Sequence, residues 1–232
     1  MARKKIIFVI VEGPSDEEAL GVILERYFDK SMVHLHIMRC DITSENGNNV
    51  NNIVNRISEI VRTFAKPFFK SKDFCRIIHI TDTDGTFITD DKIVENAQID
   101  NLVYSTTKIE APCKNNIVKR NQQKSEILRR LSATSTIWKI PYQIYYMSCN
   151  LDHVLYDKLN SSDIEKEENA YKFAEKYKDD IQGCIQFFNE SDFSVIGDYK
   201  QSWEYIEKDL HSLERHTNFG LCFEKDSNND EN

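Results

Sequence analysis

The chain lacks any apolar run that approaches the roughly 20 residues needed to cross a bilayer. Its basic start, residues 1–5, leads into the apolar residues 6–11, as the start of a signal peptide would. This apolar run passes directly into acidic residues without a small-residue cleavage site, which argues against a signal peptide. We therefore expect a cytoplasmic protein with no membrane association.

Cysteine pairing motifs are also missing. The six cysteines lie far apart and none forms a Cys-x-x-Cys pair, so a zinc site built on cysteine is not expected. In a chain without an export signal we expect them to be reduced thiols, several of them buried. They are Cys40, Cys75, Cys113, Cys149, Cys184 and Cys222.

The chain has no excess of positive charge, since 30 lysines and arginines stand against 38 acids, for a net charge of −8. This balance argues against a protein that holds nucleic acid by global electrostatics, but not against local contacts with phosphates. Hydrophobic residues make up 40% and aromatic residues 11% of the sequence, as in a folded globular protein. Its 232 residues suffice for one domain with an elaboration or for two small domains.

The spacing of apolar residues predicts a β-α-β-α-β unit. Residues 6–11, 33–39 and 75–81 have the pattern of strands, and the segments between them have helical spacing. This order implies right-handed crossovers and a parallel sheet, in which the second strand lies outside the first and the third lies on the first strand's other side. We expect an α/β fold with a mostly parallel sheet of four to five strands flanked by helices, followed by a C-terminal helical extension.

The expected organisation is an α/β catalytic domain at residues 1–160, a helical extension packed on it at 161–224, and an acidic flexible tail at 225–232. Ser15 is expected to cap the first helix, with Glu18 completing a capping box.

Acidic residues follow the first and third predicted strands directly. The first strand ends in Glu12-Gly13, and the third ends in Asp82-Thr83-Asp84-Gly85. Ligands of open α/β sheets bind at these strand ends, so we expect Glu12 to face both aspartates there. Alternation along the strand would direct the two aspartates to the same side, and the glycines would leave room for a ligand.

Three converging carboxyl groups do not all ionise unless a cation offsets their charge. Hard divalent ions take oxygen ligands and often retain water for substrate phosphates, so the pattern indicates a Mg²⁺ or Mn²⁺ site. Each motif alone is also ordinary turn or helix-start chemistry. The pair, at the ends of neighbouring strands, favours a site.

These residues resemble the TOPRIM fold, which is shared by topoisomerases, bacterial primases, small ribonucleases of the M5 type and OLD-type nucleases. The family pattern is a Glu-Gly after the first strand and an Asp-x-Asp after the third, matched in order by Glu12-Gly13 and Asp82-Thr83-Asp84. Residues 145–153 look like a degenerate form of the Ser-x-x-Cys-Phe-Glu-x-Trp element of RloB-like and OLD-type proteins, with Asp152 in place of the glutamate. The resemblance covers roughly residues 5–160.

The resemblance implies Mg²⁺- or Mn²⁺-dependent hydrolysis of phosphodiester bonds in DNA or RNA, because the chain is too small for the further domains of topoisomerases and primases. RloB-like and OLD-type proteins are associated with restriction loci and phage defence, so it also implies a defence role and a partner ATPase or defence-system subunit. The implied catalytic residues are Glu12, Asp82 and Asp84. The expected metal ligands are Glu12, Asp16, Asp82, Asp84 and Asp152, which could hold two ions if all converge.

Two other functions remain open. Residues 80–87 also resemble the first motif of haloacid-dehalogenase-like phosphatases, in which Asp82 would be the nucleophile and Asp84 the general acid. Ser148 and Gly197-Asp198 would then supply later motifs, but Glu12 would have no role. The other alternative is a TOPRIM sensor or partner subunit that binds without catalysis.

Residues 108–139 concentrate positive charge, with eight lysines and arginines against Glu110 and Glu126. Such a segment favours a track for a nucleic-acid backbone, and a solvated helix face is the ordinary alternative. The candidate nucleic-acid-binding residues are Lys119, Arg120, Lys124, Arg129 and Arg130.

Overall fold

The computed structural model describes residues 4–28, 30–195 and 197–223. The strands are β1 (Lys5–Val11), β2 (Val33–Arg39), β3 (Phe74–Asp82), β4 (Ile93–Glu95), β5 (Val103–Tyr104), β6 (Ile109–Ala111), β7 (Thr136–Ile137) and β8 (Ile140–Met147). The helices are α1 (Pro14–Tyr27), α2 (Ile53–Ala65), α3 (Lys114–Ser132), α4 (Leu151–Tyr156), α5 (Asp163–Tyr177), α6 (Ile181–Glu190) and α7 (Tyr199–Ile206). Short 3₁₀ turns occupy Ser71–Asp73, Asp90–Lys92 and Phe219–Phe223.

The central sheet has five strands in the order β2-β1-β3-β8-β7. The first four are parallel to their neighbours, and β7 pairs antiparallel with β8 at one edge. The prediction of a mostly parallel sheet flanked by helices is confirmed, as is the placement of the first strand between the second and third. The C-terminal ends of β1 and β3 therefore lie side by side.

Alternate residues of the central strands pack into two separate layers. Ile7 and Ile78 face α1, α4, α5 and α6, whereas Phe8 and Ile77 face α2, α3 and α7. Both strands are apolar on both sides, as a sheet covered by helices on both faces requires. Burial of each of these side chains stabilises the fold by about 1.5–3 kcal/mol.

The C-terminal helices complete both layers. Phe173 of α5 and Phe188 of α6 pack in the same cluster as Leu20 of α1, and Trp203 of α7 packs in the cluster on the opposite face. The sheet and the helices after residue 160 thus share their hydrophobic cores. The predicted tail at 225–232 lies outside the described residues.

A small second sheet, in the order β4-β6-β5, interrupts the chain between β3 and α3. Its own core includes Ile93, Ile109 and Leu213. The sequence pattern does not predict this separate sheet, because strands of two or three residues are too short to show a period.

Within the described ranges, no helix combines the length and the apolar character needed to span a membrane. All six cysteines lie in those ranges and none forms a disulfide, while Cys149, Cys184 and Cys222 are buried. The expectation that several of the cysteines are buried is confirmed.

Candidate active site

The turn from β1 into α1 positions two acidic side chains. Helix α1 begins at Pro14 with Gly13 as its N-cap, and Asp16 Oδ2 accepts a hydrogen bond from the Gly13 N–H at 2.8 Å. The predicted cap at Ser15 with Glu18 is therefore wrong by two residues, since proline fits the first helical position and draws the helix start toward the strand. Asp16 is held at the helix N-terminus, where the helix dipole favours negative charge.

Glu12 joins the ends of β1 and β3. Its Oε1 accepts hydrogen bonds from the Thr81 hydroxyl at 2.6 Å and from the Asp82 backbone N–H at 3.0 Å. The hydroxyl of Thr43, from the loop after β2, lies 3.4 Å from the same oxygen. The structure thus brings Glu12 to the end of β3, as the strand order requires.

The backbone changes direction between Asp82 and Asp84. Strand β3 ends at Asp82, and Asp84 has a left-handed backbone with φ of 49°. The Asp84 N–H donates to the carbonyl of Cys149 at 2.9 Å, and its Oδ2 lies 2.5 Å from Lys124 Nζ. The prediction that alternation would place both aspartates on one side is wrong, because the extended backbone ends before Asp84.

Asp82 instead lines a cleft of about 450 Å³ at the ends of the strands. Asp152, on α4, also lines it, and its Oδ1 accepts a hydrogen bond from Asn169 Nδ2 at 2.9 Å. Lys166 from α5 also lines the cleft. The acidic side chains around the cleft are Glu12, Asp16, Asp41, Asp82, Asp152, Asp163 and Glu167.

Burial and mutual repulsion raise the pKa of three of these carboxyl groups. Burial raises the pKa of Glu12 to about 7 and that of Asp16 to about 6. The pKa of Asp82 lies well above its ordinary value, first through burial and then through the charges of Glu12 and Asp16. Burial would also raise the pKa of Asp84, but Lys124 and Arg120 outweigh it and hold that pKa below its ordinary value.

These carboxyl groups suit a hard cation in donor chemistry. Asp82 Oδ1 is buried and has no hydrogen-bond partner among the described residues, so one strong acceptor of a residue that lines the cleft is unsatisfied. In the described part of the chain, however, no three His, Cys, Asp or Glu side chains are arranged so that they could hold a metal ion. Cation binding would therefore require side-chain movement in the cleft.

The five basic candidates of α3 do not share one surface. Lys124 is only 1% exposed and pairs with Asp84, so its assignment to an exposed phosphate track is wrong. Arg120 is half-buried and donates to the Tyr104 hydroxyl and to the Asp84 carbonyl, each at 2.9 Å. Lys119, Arg129 and Arg130 are exposed, and Arg129 pairs with Glu207. Lys124 and Arg120 point inward because a helix that packs on a sheet turns one of its faces toward the core.

Three residues at the site were not expected from the sequence. Asp41 lies just beyond the end of β2, and the rule that selected Glu12 and Asp82 would have selected it too. Lys166 is on a helix outside the predicted catalytic domain, and no local pattern marks it. The buried ion pair of Lys124 also has no sequence signal, since it depends on how α3 packs against the sheet.

Ser148 and Asp198, which would supply the later motifs of a dehalogenase-like site, lie outside the acidic cleft. The Ser148 hydroxyl donates to the carbonyl of Glu214, and Asp198 caps α7 by accepting from the Gln201 N–H at 2.8 Å. Gly85 leaves space that Leu213 fills rather than a ligand, since a Cβ there would lie 2.4 Å from Leu213 Cδ2. Neither Ser148 nor Asp198 lines the acidic cleft.

No family model, curated protein or solved structure matches this chain.

Proposed function

We propose that this protein is a metal-dependent nuclease of TOPRIM type that hydrolyses phosphodiester bonds in DNA or RNA. The observation that carries the proposal is the meeting of Glu12 and Asp82 at the adjacent ends of β1 and β3, in a cleft with an unsatisfied buried carboxylate oxygen. Carboxyl groups with raised pKa in a cleft are characteristic of functional sites. Folding that gathers such groups is disfavoured unless a proton or a cation offsets their charge.

Metal binding, proton transfer and phosphate binding would each be carried out by different side chains of the cleft. Asp82, Asp16 and Asp152 would hold Mg²⁺ or Mn²⁺, which when bound polarises a phosphoryl oxygen and offsets negative charge that develops in hydrolysis. Glu12, with a pKa of about 7, is suited to accept a proton from the attacking water near neutral pH. Lys166 stands on the wall of the cleft, where its ammonium would contact a substrate phosphate.

The resemblance to RloB-like and OLD-type proteins extends the proposal to a role in phage defence, with a partner ATPase or defence-system subunit. It rests on the motif residues Glu12-Gly13 and Asp82-Thr83-Asp84 and on the degenerate element at residues 145–153.

A phosphatase of the haloacid-dehalogenase type is less well supported. Its general acid would be Asp84, which is committed to the ion pair with Lys124. A binding-only protein would use the same cleft, so it is distinguished by assay rather than by geometry.

The direct test is cleavage of plasmid, single-stranded DNA and structured RNA including tRNA, each with Mg²⁺, Mn²⁺ or EDTA. We expect cleavage of at least one substrate, abolished by EDTA and by Asp82→Asn. Asp179→Asn, which changes an exposed acid near Arg26, is the matched control and should retain activity. Cleavage that persists in EDTA would contradict the proposal, turnover of a small phosphate ester alone would favour the phosphatase, and no turnover of any substrate would favour the binding-only protein.

A further inference from the structure

Strand β2 forms an open edge of the central sheet. Among residues 4–28, 30–195 and 197–223, β2 pairs with β1 alone and stands at the end of the strand order. All seven of its residues are half-buried or exposed, whereas six of the seven residues of β1 are buried. An edge of this length presents a row of backbone donors and acceptors to which another strand can pair.

Two hydrogen bonds at the ends of β2 show which of its backbone groups face the open edge. The Lys5 N–H donates to the Met32 carbonyl at 3.1 Å, and the Cys40 N–H donates to the Val11 carbonyl at 2.7 Å. The register between β1 and β2 is unbroken, so the even-numbered residues from 32 to 40 direct their backbone groups to β1. The odd-numbered residues of β2 direct theirs to the open edge. These residues are Val33, Leu35, Ile37 and Arg39.

The sequence of β2 does not protect this edge from pairing. Within its seven described residues the strand has no lysine and no proline, and its pairing with β1 has no bulge. Arg39, at the last position, is its one lysine or arginine, and the side chains of Leu35 and Ile37 are only half-buried. A cavity of about 290 Å³ beside the start of the strand is lined in part by Phe28, Val33 and Leu35. Charged residues, proline and bulges are the usual means of preventing edge-to-edge pairing, so this edge is suited to a partner strand.

The edge is complementary to itself. In an antiparallel pair, two opposite residues exchange both hydrogen bonds, so odd-numbered residues of β2 must lie opposite odd-numbered residues of the second copy. Pairing of two copies about His36 meets this condition over the full strand. It places Leu35 opposite Ile37 of the second copy, as an apolar pair, and Val33 opposite Arg39. The N–H and C=O groups of all four odd-numbered residues then have partners.

Charges near the two ends of β2 favour the same antiparallel arrangement. The start of the strand has two lysines against one glutamate beside it, and its end has one arginine against two acids. The residues at the start are Lys4, Glu25 and Lys30, and those at the end are Glu17, Arg39 and Asp41. Two-fold pairing brings the start of one strand to the end of the other, so it joins ends of opposite net charge.

We propose that β2 binds a second copy of this chain, in a two-fold dimer whose β2 strands pair antiparallel about His36. The central sheet then runs through both copies, and its open edge is removed. Closed two-fold dimers in which each copy contributes the same surface are the commonest symmetric assemblies. The interface does not involve the chemistry of the acidic cleft, so it goes beyond the proposed function.

The mass of the full chain in solution is the first test. We expect light scattering and sedimentation velocity to give twice the mass of one chain, with dissociation to single chains on dilution. A single-chain mass at every concentration would overturn the inference and leave the proposed function standing, because cleavage is assayed separately.

Variants at His36 test the position of the two-fold axis. His36→Asp and His36→Lys each place like charges opposite each other, so each alone should weaken dimerisation by about 10-fold or more. A mixture of the two variants should form a dimer with one copy of each. The control is Ile164→Asp, which changes a residue of α5 that is 72% exposed and should dimerise as the wild type does. Wild-type dimerisation of folded His36→Asp would overturn the inference.

A proline variant tests the backbone hydrogen bonds. Proline is tolerated on edge strands where its missing N–H would face away from the sheet, as the Arg39 N–H does. Arg39→Pro removes two hydrogen bonds of the dimer by symmetry, so its dissociation constant should exceed that of Arg39→Ala, which keeps the N–H, by about 10-fold. Equal dissociation constants for these two variants would overturn the inference, and this comparison decides if the His36 variants do not fold.

Discussion

The carboxylate of Glu12 accepts the backbone N–H of Asp82, with 3.0 Å between Oε1 and N. Because β1 and β3 are adjacent parallel strands, this contact sets the distance between the two acids that end them. It also satisfies a backbone donor just where strand pairing stops. Glu12 therefore has a structural role, as a hydrogen-bond acceptor, and a chemical role, as a charged group.

The two roles of Glu12 can be separated by substitution. Glu12→Gln keeps the acceptor oxygen, so we expect a stability close to wild type but a loss of cleavage of at least about 100-fold. Glu12→Ala leaves the Asp82 N–H and the Thr81 hydroxyl without their acceptor and should cost a further 1–3 kcal/mol or so of stability. Thermal denaturation and cleavage assays on both variants measure this. Full cleavage activity in Glu12→Gln would exclude its role in proton transfer.

Asp82→Asn is expected to stabilise the metal-free protein, and by more at pH 8 than at pH 5. The pKa of Asp82 is raised in the folded protein, so folding retains a proton that the unfolded chain releases above its ordinary pKa of 3.8. The free energy of unfolding then falls with rising pH, by up to about 1.4 kcal/mol per pH unit, until the folded pKa is reached. Asparagine does not titrate, so the free energy of unfolding of Asp82→Asn should exceed that of the wild type by an amount that grows from pH 5 to pH 8. Urea denaturation in EDTA at several pH values measures the difference.

Histidines with lowered pKa, among them His79, raise the free energy of unfolding as the pH rises, so they oppose this trend when the wild type is measured by itself. The comparison of wild type with Asp82→Asn removes their effect, because they are common to both. A difference that does not change with pH would show that Asp82 is ionised in the folded protein. Mg²⁺ at 100 times its dissociation constant should stabilise the wild type by about 2.7 kcal/mol and leave Asp82→Asn unchanged, so it should offset the advantage of the variant.

The part of the fold that follows from the sequence is the part with strong periodicity. The strand that ends at Val11 and the one that ends at Asp82 each contain a run of buried apolar residues, and their order in the chain restricts the sheet to few topologies. Glu12 and Asp82 could therefore be placed at one edge from the sequence alone. Asp84 could not, because its direction depends on one left-handed residue that no period encodes.

The error in predicting that the basic residues of α3 share one surface has a related cause. Net charge along a segment shows how many cations it has, but the rotation of the helix decides which of them meet solvent. In α3, Lys119 points outward, while Lys124 lies in the core beside Asp84. The composition of α3 suggests a basic surface, whereas its packing against the sheet makes one lysine part of the acidic site.

Lys124 and Asp84 should be strongly coupled in stability. Lys124→Met leaves buried carboxylates without their cation and should destabilise the protein by about 3–5 kcal/mol. Asp84→Asn should reduce that cost, with a coupling of about 1–3 kcal/mol in a double-mutant cycle. Lys119→Met, on the exposed face of the same helix, is the matched control and should change stability by no more than about 0.5 kcal/mol. Additive effects of Lys124→Met and Asp84→Asn would contradict the coupling.

The exposed face of α3 can still be tested as a nucleic-acid track. Lys119 and Arg130 are 11 residues apart, about three helical turns, and so lie on one face. Replacing both with alanine should reduce the slope of log affinity against log salt by about 2 if each contacts a duplex DNA phosphate. The control is Lys172→Ala with Lys200→Ala, two exposed lysines of α5 and α7. A slope as steep as that of wild type would remove this face from the interface.

Lys166 is expected to contact substrate inside the cleft rather than along α3. It is half-buried among acids on the cleft wall, whereas Lys172 on the same helix is exposed and pairs with Glu168. Lys166→Ala should therefore weaken substrate binding or slow turnover by about 10-fold or more, because an Lys–phosphate contact in a partly buried site contributes about 1.5–3 kcal/mol. Lys172→Ala should leave both unchanged. Equal effects of the two substitutions would indicate general electrostatics in place of a defined contact, and would assign the substrate to a surface other than the cleft.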